Sequence, residues 1–293
     1  MAHRPARGAR GVTQAPTPQD RLNRARAVRA AAGQRDIGLF DRVRRFCLFV
    51  GQSRSGHSVL GTLLNAHQQA VVSHNLDALD YLAAGVGRED LLLLILDRDR
   101  WLGERGRKIG GHSYDIPELW QGDHADIRVI GDKRAGATSR HLARHPGLLG
   151  ELPARLGLDV CAIHHVRNPI DNISSIWTRK TLGVERSLDE AADHYFAMLE
   201  GATAGLRAAG AAVQWIRTYH EDLIRDPRST LRPVFELLDL PLDDYFLRRC
   251  EAFIHHAPRQ TRHLAPWTPE LERSVSMRAA AFDFLERYSK EQR

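Results

Sequence analysis

Residues 46–67, FCLFVGQSRSGHSVLGTLLNAH, constrain the fold of this chain more than any other stretch. The apolar run 46–50 breaks at a turn that contains Gly51 and Gly56. A helical pattern follows at once, with Val59, Leu60, Leu63 and Leu64 on one face. Strand, glycine turn and helix in succession present backbone N–H groups and a helix N-terminus to an anion. Packing alone gives little reason to gather two glycines, an arginine and several hydroxyls in one turn.

The rest of the chain follows the same rhythm. Apolar runs predict strands at 46–50, 70–73, 127–130, 160–166 and 213–218. Amphipathic patterns predict helices near 57–67, 76–84, 88–98, 170–180, 187–208, 229–238, 243–252 and 268–288. Short apolar strands between such helices specify an α/β fold. We expect three layers in a P-loop-like arrangement, with a mostly parallel central sheet of about five strands flanked by helices. Three of the strands run into polar clusters, GQSRSGHS, GDKRAG and VRNPIDN. The carboxyl edge of an open parallel sheet brings such clusters together. Residues 1–35 are rich in Ala, Arg, Pro and Gly and poor in large apolar residues, so they are expected to be a disordered or loosely helical arm. Residues 36–293 then form one domain.

Charge narrows the partners. The formal net charge is +6, carried mostly by arginine, and suits anionic ligands. There is no zinc-finger spacing, aromatic RNA-binding signature or basic zipper, so nucleic acid is not an expected partner. The longest apolar run, 91–96, is too short to span a bilayer, and no apolar region follows the basic start. Cys47, Cys161 and Cys250 are odd in number and widely spaced. They read as buried thiols in a reducing, cytoplasmic setting rather than as disulfide or metal ligands. No clustered metal-ligand spacing occurs, so no metal is expected. The oligomeric state is not written in the sequence.

Read literally, Gly51 to Ser58 is GxxxxGK[ST] with His57 in the lysine place. A histidine is not a permanent cation at neutral pH, so Arg54 must carry the loop's positive charge. The second cluster, HVRNPIDNISS, starts at a strand end, and Pro169 is suited to open a helix. Arg167 and Ser175 can hold a second phosphate there, by a guanidinium fork and a hydroxyl. The plain alternative is an Arg–Asp ion pair beside a helix serine.

Together these clusters resemble the two phosphosulfate-binding signatures of the 3′-phosphoadenosine 5′-phosphosulfate (PAPS)-dependent sulfotransferases, a loop GxxRSGTS and a later RNPxDxxxS. Two further segments, LLNAHQQAVVSHNLDAL and TYHEDLIRDPRSTLRPVFELLDLP, resemble the family's LLdaHPxvxxxxE and YEDLxxDPxxTLxxLxxFLGLP. The likeness runs from residue 46 through most of the chain. It implies that Arg54, Ser55, Gly56, His57 and Ser58 hold the 5′-phosphosulfate, and that Arg167 and Ser175 hold the 3′-phosphate. Lys133 resembles a lysine found there in many bacterial members and is a candidate to stabilise charge on the sulfonate or bridging oxygen; a surface lysine after a strand is the alternative. Arg259, Arg262 and His263, ahead of Trp267, are candidates for the basic loop over the nucleotide, although the family's Arg-Lys-Gly spelling is missing.

The proton acceptor departs from the family. Asn75 stands where a glutamate is usual, and an amide cannot act as a base. His74 is the first substitute, with Asp77 and His112 behind it. A backbone-satisfied strand-end histidine is the competing reading for His74. His164 and His165 read as structural. His220 stands where the family has a tyrosine, either against the adenine or as a strand cap. The stripe in the helix from 187 is a core face, the resemblance implies a second role in walling the acceptor pocket, and Trp101, Tyr114 and Trp120 are the expected acceptor side. The implied reaction transfers a sulfonate from PAPS to a hydroxyl, less readily an amine, of a small molecule or sugar, leaving PAP (adenosine 3′,5′-bisphosphate). Two alternatives remain open: a P-loop kinase using magnesium, ATP and a carboxylate such as Asp132, or a PAP-binding module with impaired turnover.

Overall fold

The computed structural model describes residues 15–109, 111–122, 124, 126–179, 186–254 and 261–292. Helices α1 (Pro18–Ala31) and α2 (Gln34–Gly38) precede β1 (Arg45–Val50) and α3 (His57–Asn65). Then come β2 (Ala70–His74), α4 (Ala78–Ala83), α5 (Arg88–Gly103) and a small hairpin of β3 (Lys108–Ile109) and β4 (His112–Ser113). Strand β5 (Val129–Lys133) leads to α6 (Ala135–Arg144) and α7 (Leu148–Leu156), and β6 (Asp159–Val166) leads to α8 (Pro169–Trp177) and α9 (Leu188–Ala209). Strand β7 (Gln214–Tyr219) is followed by α10 (His220–Arg225), α11 (Pro227–Leu237), α12 (Asp244–Phe253) and α13 (Pro269–Ala279).

The main sheet has five parallel strands in the order β2-β5-β1-β6-β7. The expected strands stand, with bounds shifted by a residue or two except at β5. That strand starts at Val129 and runs on to Lys133, so Asp132 and Lys133 are strand residues rather than loop residues. Side chains alternate across β1. Phe46, Leu48 and Val50 enter the core under α5, α7 and α9, whereas Cys47 and Phe49 enter the core under α3, α11 and α12. Both faces are buried, as an all-parallel sheet requires. The three cysteines are free and buried. No helix among the described residues is long and apolar enough to cross a membrane.

The expected arm needs correction. Residues 1–14 lie outside the described residues, but Pro18–Ala31 is a helix with a Thr17–Asp20 capping box and Pro18 in its first turn. Its cause lies in α5. Leu91 through Leu96 are all buried, so α5 is apolar around its whole circumference and needs cover on the side away from the sheet. Helix α1 supplies that cover, burying Ala25 and pairing Arg21 with Asp80 and Arg29 with Glu89 and Asp90. The helix expected over 268–288 also divides, into α13 and a 3-10 stretch at Asp283–Gln292.

Candidate active site

The carboxyl ends of β1, β5 and β6 carry the three polar clusters to one edge of the sheet, as expected. The turn after β1 is tied down from both sides. Ser139 Oγ accepts the Gly51 N–H at 2.8 Å and donates to the Gly51 carbonyl at 2.9 Å. Asn172 Nδ2 donates to the Ser53 carbonyl at 2.8 Å. Gly56 is the N-cap of α3 at φ 94, and an added Cβ there would come within 2.2 Å of His220 Nδ1. Among the described residues no side chain caps α3, and the Val59 amide bonds the Gly56 carbonyl at 2.9 Å.

His57 does not replace a P-loop lysine. Burial, then the charge of Lys133, pushes it well below the ordinary histidine value, so it is neutral, and its Nδ1 lies 3.1 Å from Ser55 Oγ. Arg54, in the left-handed region at φ 69, is the loop's cation. Its Nε donates to Ser175 Oγ at 3.2 Å, which joins the first cluster to the second. Arg167 Nη1 reaches the Arg54 carbonyl at 3.4 Å. Ser175 is buried on α8, a helix opened by Pro169 and capped by Asn168, whose side chain accepts from the Ile170 and Asp171 amides. The turn after β1, with Arg54, Ser55, Gly56, His57 and Ser58, is thus bonded to the segment that carries Arg167 and Ser175.

Arg262 reaches the same helix by another route. Its guanidinium pairs with Asp171 at 2.7 Å, and the Thr261 and Arg262 amides also donate to that carboxylate. Trp267 Nε1 donates to Ser174 Oγ at 2.8 Å. Asp171 thus acts as an anchor for the C-terminal segment, a role hidden in the motif until the fold brings residues 261–267 over α8. Arg259 lies outside the described residues.

At the end of β5, Lys133 is 1% exposed. Its Nζ lies 2.9 Å from Ser58 Oγ, 3.0 Å from His74 Nε2 and 2.9 Å from Asn75 Oδ1. Burial pulls its pKa from 10.5 down to about 7, against the opposing field of Asp132. The surface-lysine alternative falls, because the side chain is a buried hub. Burial, then the Lys133 charge, takes His74 to about 2, so its imidazole is neutral. The other base candidates are elsewhere: Asp77 is paired with Arg134 at 2.6 Å, and His112 is exposed on β4. Asp132 directs its carboxylate to Ser73 Oγ, the Leu76 N–H and the Ala78 N–H, fixing the turn after β2.

Beside the hub is a narrow crevice of about 10 Å³, room for no more than a water, lined by Asn65, Val72, His74, Arg107, Tyr114 and Gln121. Tyr114 stacks at a tilt on His74, with ring centroids 5.1 Å apart. Of the three expected aromatics it alone meets His74. Trp101 is 39% exposed between Arg98 and Arg105, and Trp120 is 47% exposed. The segment carrying Tyr114 is held by a buried cluster unseen in the sequence. Asp99 accepts from Asn65 and Arg107, each at 2.7 Å, and lies 3.3 Å from His124. Burial opposes its ionisation, but the bonds from His124 and Arg107 prevail and hold it at about 2. His164 and His165 are buried at the sheet centre, His165 with its Nδ1 on Thr218 at 2.8 Å, in keeping with structural roles. His220 packs against Gly56 and His165. The stripe of α9, with Tyr195, Met198 and Leu199, faces the core.

No protein-family model and no curated protein matches this chain. Solved structures do. The sulfotransferase STF9 from Mycobacterium avium aligns at a TM-score of 0.50 and 15% identity, covering 91% of this chain and 83% of that one. The sulfotransferase domain from the curacin biosynthetic pathway aligns at 0.47 and 15%, over 86% and 98%. Mouse sulfotransferase SULT7A1, complexed with PAP, aligns at 0.43 and 11%, over 89% and 95%. The match to STF9 identifies the architecture as a sulfotransferase fold.

Proposed function

We propose that the chain is a sulfotransferase that moves a sulfonate from PAPS to a hydroxyl of a small-molecule or sugar acceptor. The observation that carries this reading is the junction of the two anion-binding clusters. Arg54 bonds Ser175 and Arg167 reaches the Arg54 carbonyl, which supports a reading in which the two arginines serve two phosphates of one nucleotide. In this reading Ser55, Gly56, His57 and Ser58 surround the 5′-phosphosulfate at the N-terminus of α3. Arg167 and Ser175 bind the 3′-phosphate by a charge-assisted fork and a hydroxyl. Arg262 holds the covering segment down through Asp171 and stands ready to contact the nucleotide.

Sulfonate transfer needs an in-line acceptor, a proton acceptor and preorganised positive charge on the sulfonate oxygens. Lys133, at Ser58, supplies charge next to the reacting sulfur. We assign the proton acceptor to His74, whose Nε2 lies 3.0 Å from Lys133 and whose ring meets Tyr114; its value of about 2, set by burial and then by the Lys133 charge, makes it a weak base while that ammonium stays beside it. Arg54 faces the leaving phosphate. These cations and amides do the work by electrostatics, and the reading requires no metal. A cytoplasmic setting fits the three free, buried thiols.

The kinase reading is weaker on two observations. The residue in the P-loop lysine's place is a neutral histidine, and both carboxylate oxygens of Asp132 are engaged by the turn after β2. Transfer from labelled PAPS to a panel of alcohols, phenols and sugars tests the proposal, with a labelled sulfate ester as the expected product. PAP binding with no labelled product from any acceptor class would favour the module with impaired turnover instead.

A further inference from the structure

We propose that Lys133 is a donor-operated latch on the proton acceptor: before the donor binds, its Nζ occupies His74 Nε2 and Asn75 Oδ1, and with a phosphosulfate at Ser58 it swings onto the sulfonate as an ammonium and leaves His74 Nε2 open to the acceptor hydroxyl. The inference rests on the sulfotransfer reading and assigns a reason to Asn75, the residue that departs from the family's glutamate.

The geometry favours a moving tip on a fixed stem. The chain of Lys133 crosses α3 at Gly61, where an added Cβ would come within 2.6 Å of Cγ. The stem is therefore held at Cγ, and only the outer bonds are free to redirect Nζ. Its three neighbours are a hydroxyl, a ring nitrogen and an amide oxygen, all uncharged. As an ammonium, Nζ donates to all three. As an amine, it donates to Ser58 and Asn75 and accepts from the His74 Nε2–H. The hub is thus hydrogen-bonded in both states. In either state His74 Nε2 is occupied, so the ring has no lone pair to offer an acceptor from that nitrogen.

Charges around the hub leave the proton undecided until an anion arrives. Asp132 adjoins on β5 but is committed to Ser73, Leu76 and Ala78. Arg134 is paired with Asp77, Arg98 donates to the His74 carbonyl, Arg179 adds a further positive field, and His57 on α3 is neutral. Burial, opposed by Asp132 and reinforced by Arg134, Arg98 and Arg179, brings Lys133 to about 7. A glutamate or aspartate at 75 would set a carboxylate on Nζ and fix the ammonium permanently. Choice of residue points the same way. The chain has only four lysines among 42 basic residues, and an arginine at 133 would stay charged at every working pH.

Donor binding then takes up a proton. The sign follows from linkage. The anion prefers the ammonium form, so affinity is full below about pH 7 and falls about tenfold per pH unit as the free-state amine loses its proton. The test is calorimetry of PAP binding at pH 8 in two buffers of different ionisation heat. The 5′-phosphate serves as the probe anion at Ser58. We expect uptake of about one proton by the native protein, and almost none by Asn75→Asp or Lys133→Met. Arg167→Ala should bind more weakly with uptake unchanged. A parallel readout is the His74 Nε2 resonance in ¹⁵N-labelled protein, which should move on PAP addition and stay still in Lys133→Met. Tight PAP binding with no proton uptake would overturn the latch and leave the donor assignment standing. Uptake that persists in Lys133→Met would overturn it too, by placing the proton elsewhere. Failure of PAP to bind at all would remove the donor reading and the latch with it.

Discussion

At the scale of single residues, the account divides recognition from chemistry. Arg167 is 7% exposed and lies beside the Arg54 carbonyl, so in the proposed function its guanidinium would meet the nucleotide already desolvated. Arg167→Ala should weaken PAP binding by roughly 1.5–3 kcal/mol, the worth of a charge-assisted hydrogen bond. An unchanged dissociation constant by calorimetry would remove the 3′-phosphate assignment. His74→Ala should leave PAP affinity within about twofold and lower sulfonate transfer by about 10²–10⁴, the range for one general base. Equal losses of affinity and turnover would make His74 a structural residue. The meeting of Arg54, Arg167 and Ser175 was legible, because each stands in a strand-end motif whose residue types match an anion's needs. The partner that Asn75 found in Lys133 was hidden, because residues 58 apart in sequence meet only through the β2–β5 pairing, in which His74 sits opposite Lys133.

Among the elements, the segment between α5 and β5 depends on one buried ion pair. Asp99→Ala would leave the Arg107 guanidinium without its carboxylate in a site where both are almost fully covered. The expected cost is about 3–5 kcal/mol, the usual penalty for orphaning a buried charge. Urea unfolding would show it as a lower midpoint, and a loss under 1 kcal/mol would mean that water reaches the cluster. Helix α1 lies at the opposite extreme. It is held by Ala25, by Leu22 and Val28 at the edge of the core, and by ion pairs that are mostly exposed and contribute little each, Arg21–Asp80 being the partly covered one. Its amides should therefore exchange with solvent well before those of α3 and α5, and equal protection in hydrogen exchange would contradict this. Composition alone made residues 18–31 look like a disordered arm, because their own apolar content is small. The contrary signal lay 60 residues away, in a Leu91–Leu96 run too evenly apolar for a helix with one free face. The five strands were legible because both faces of a parallel sheet are buried and leave continuous apolar runs. Helices α6 and α7 were missed because they are short, 10 and 9 residues, and α7 carries Pro153, a residue that reads as a helix breaker.

The molecule as a whole keeps an unusual number of histidines neutral. His57, His74, His164, His165 and His220 are all pushed below the ordinary value of 6.5, in each case mainly by burial. Above pH 6.5 these rings are neutral in both folded and unfolded chains and add no pH dependence. As pH falls below 6.5 the unfolded chain binds protons that the folded one refuses, so stability falls. The slope is about 1.4 kcal/mol per pH unit for each histidine, continuing toward about pH 3 for His164 and His220. Urea midpoints should drop steeply between pH 7 and 5, and a flat profile would contradict the buried-neutral assignment. The same burial isolates the site from water and lets a few cations govern its chemistry. The central claim is that this site is built for a nucleotide with phosphates at both the 3′ and 5′ positions. Calorimetric titration of the native protein with PAP, and separately with ATP plus magnesium, tests it most directly. The account predicts tight PAP binding without magnesium and much weaker ATP binding. Tight, magnesium-dependent ATP binding with no preference for the 3′-phosphate would contradict it.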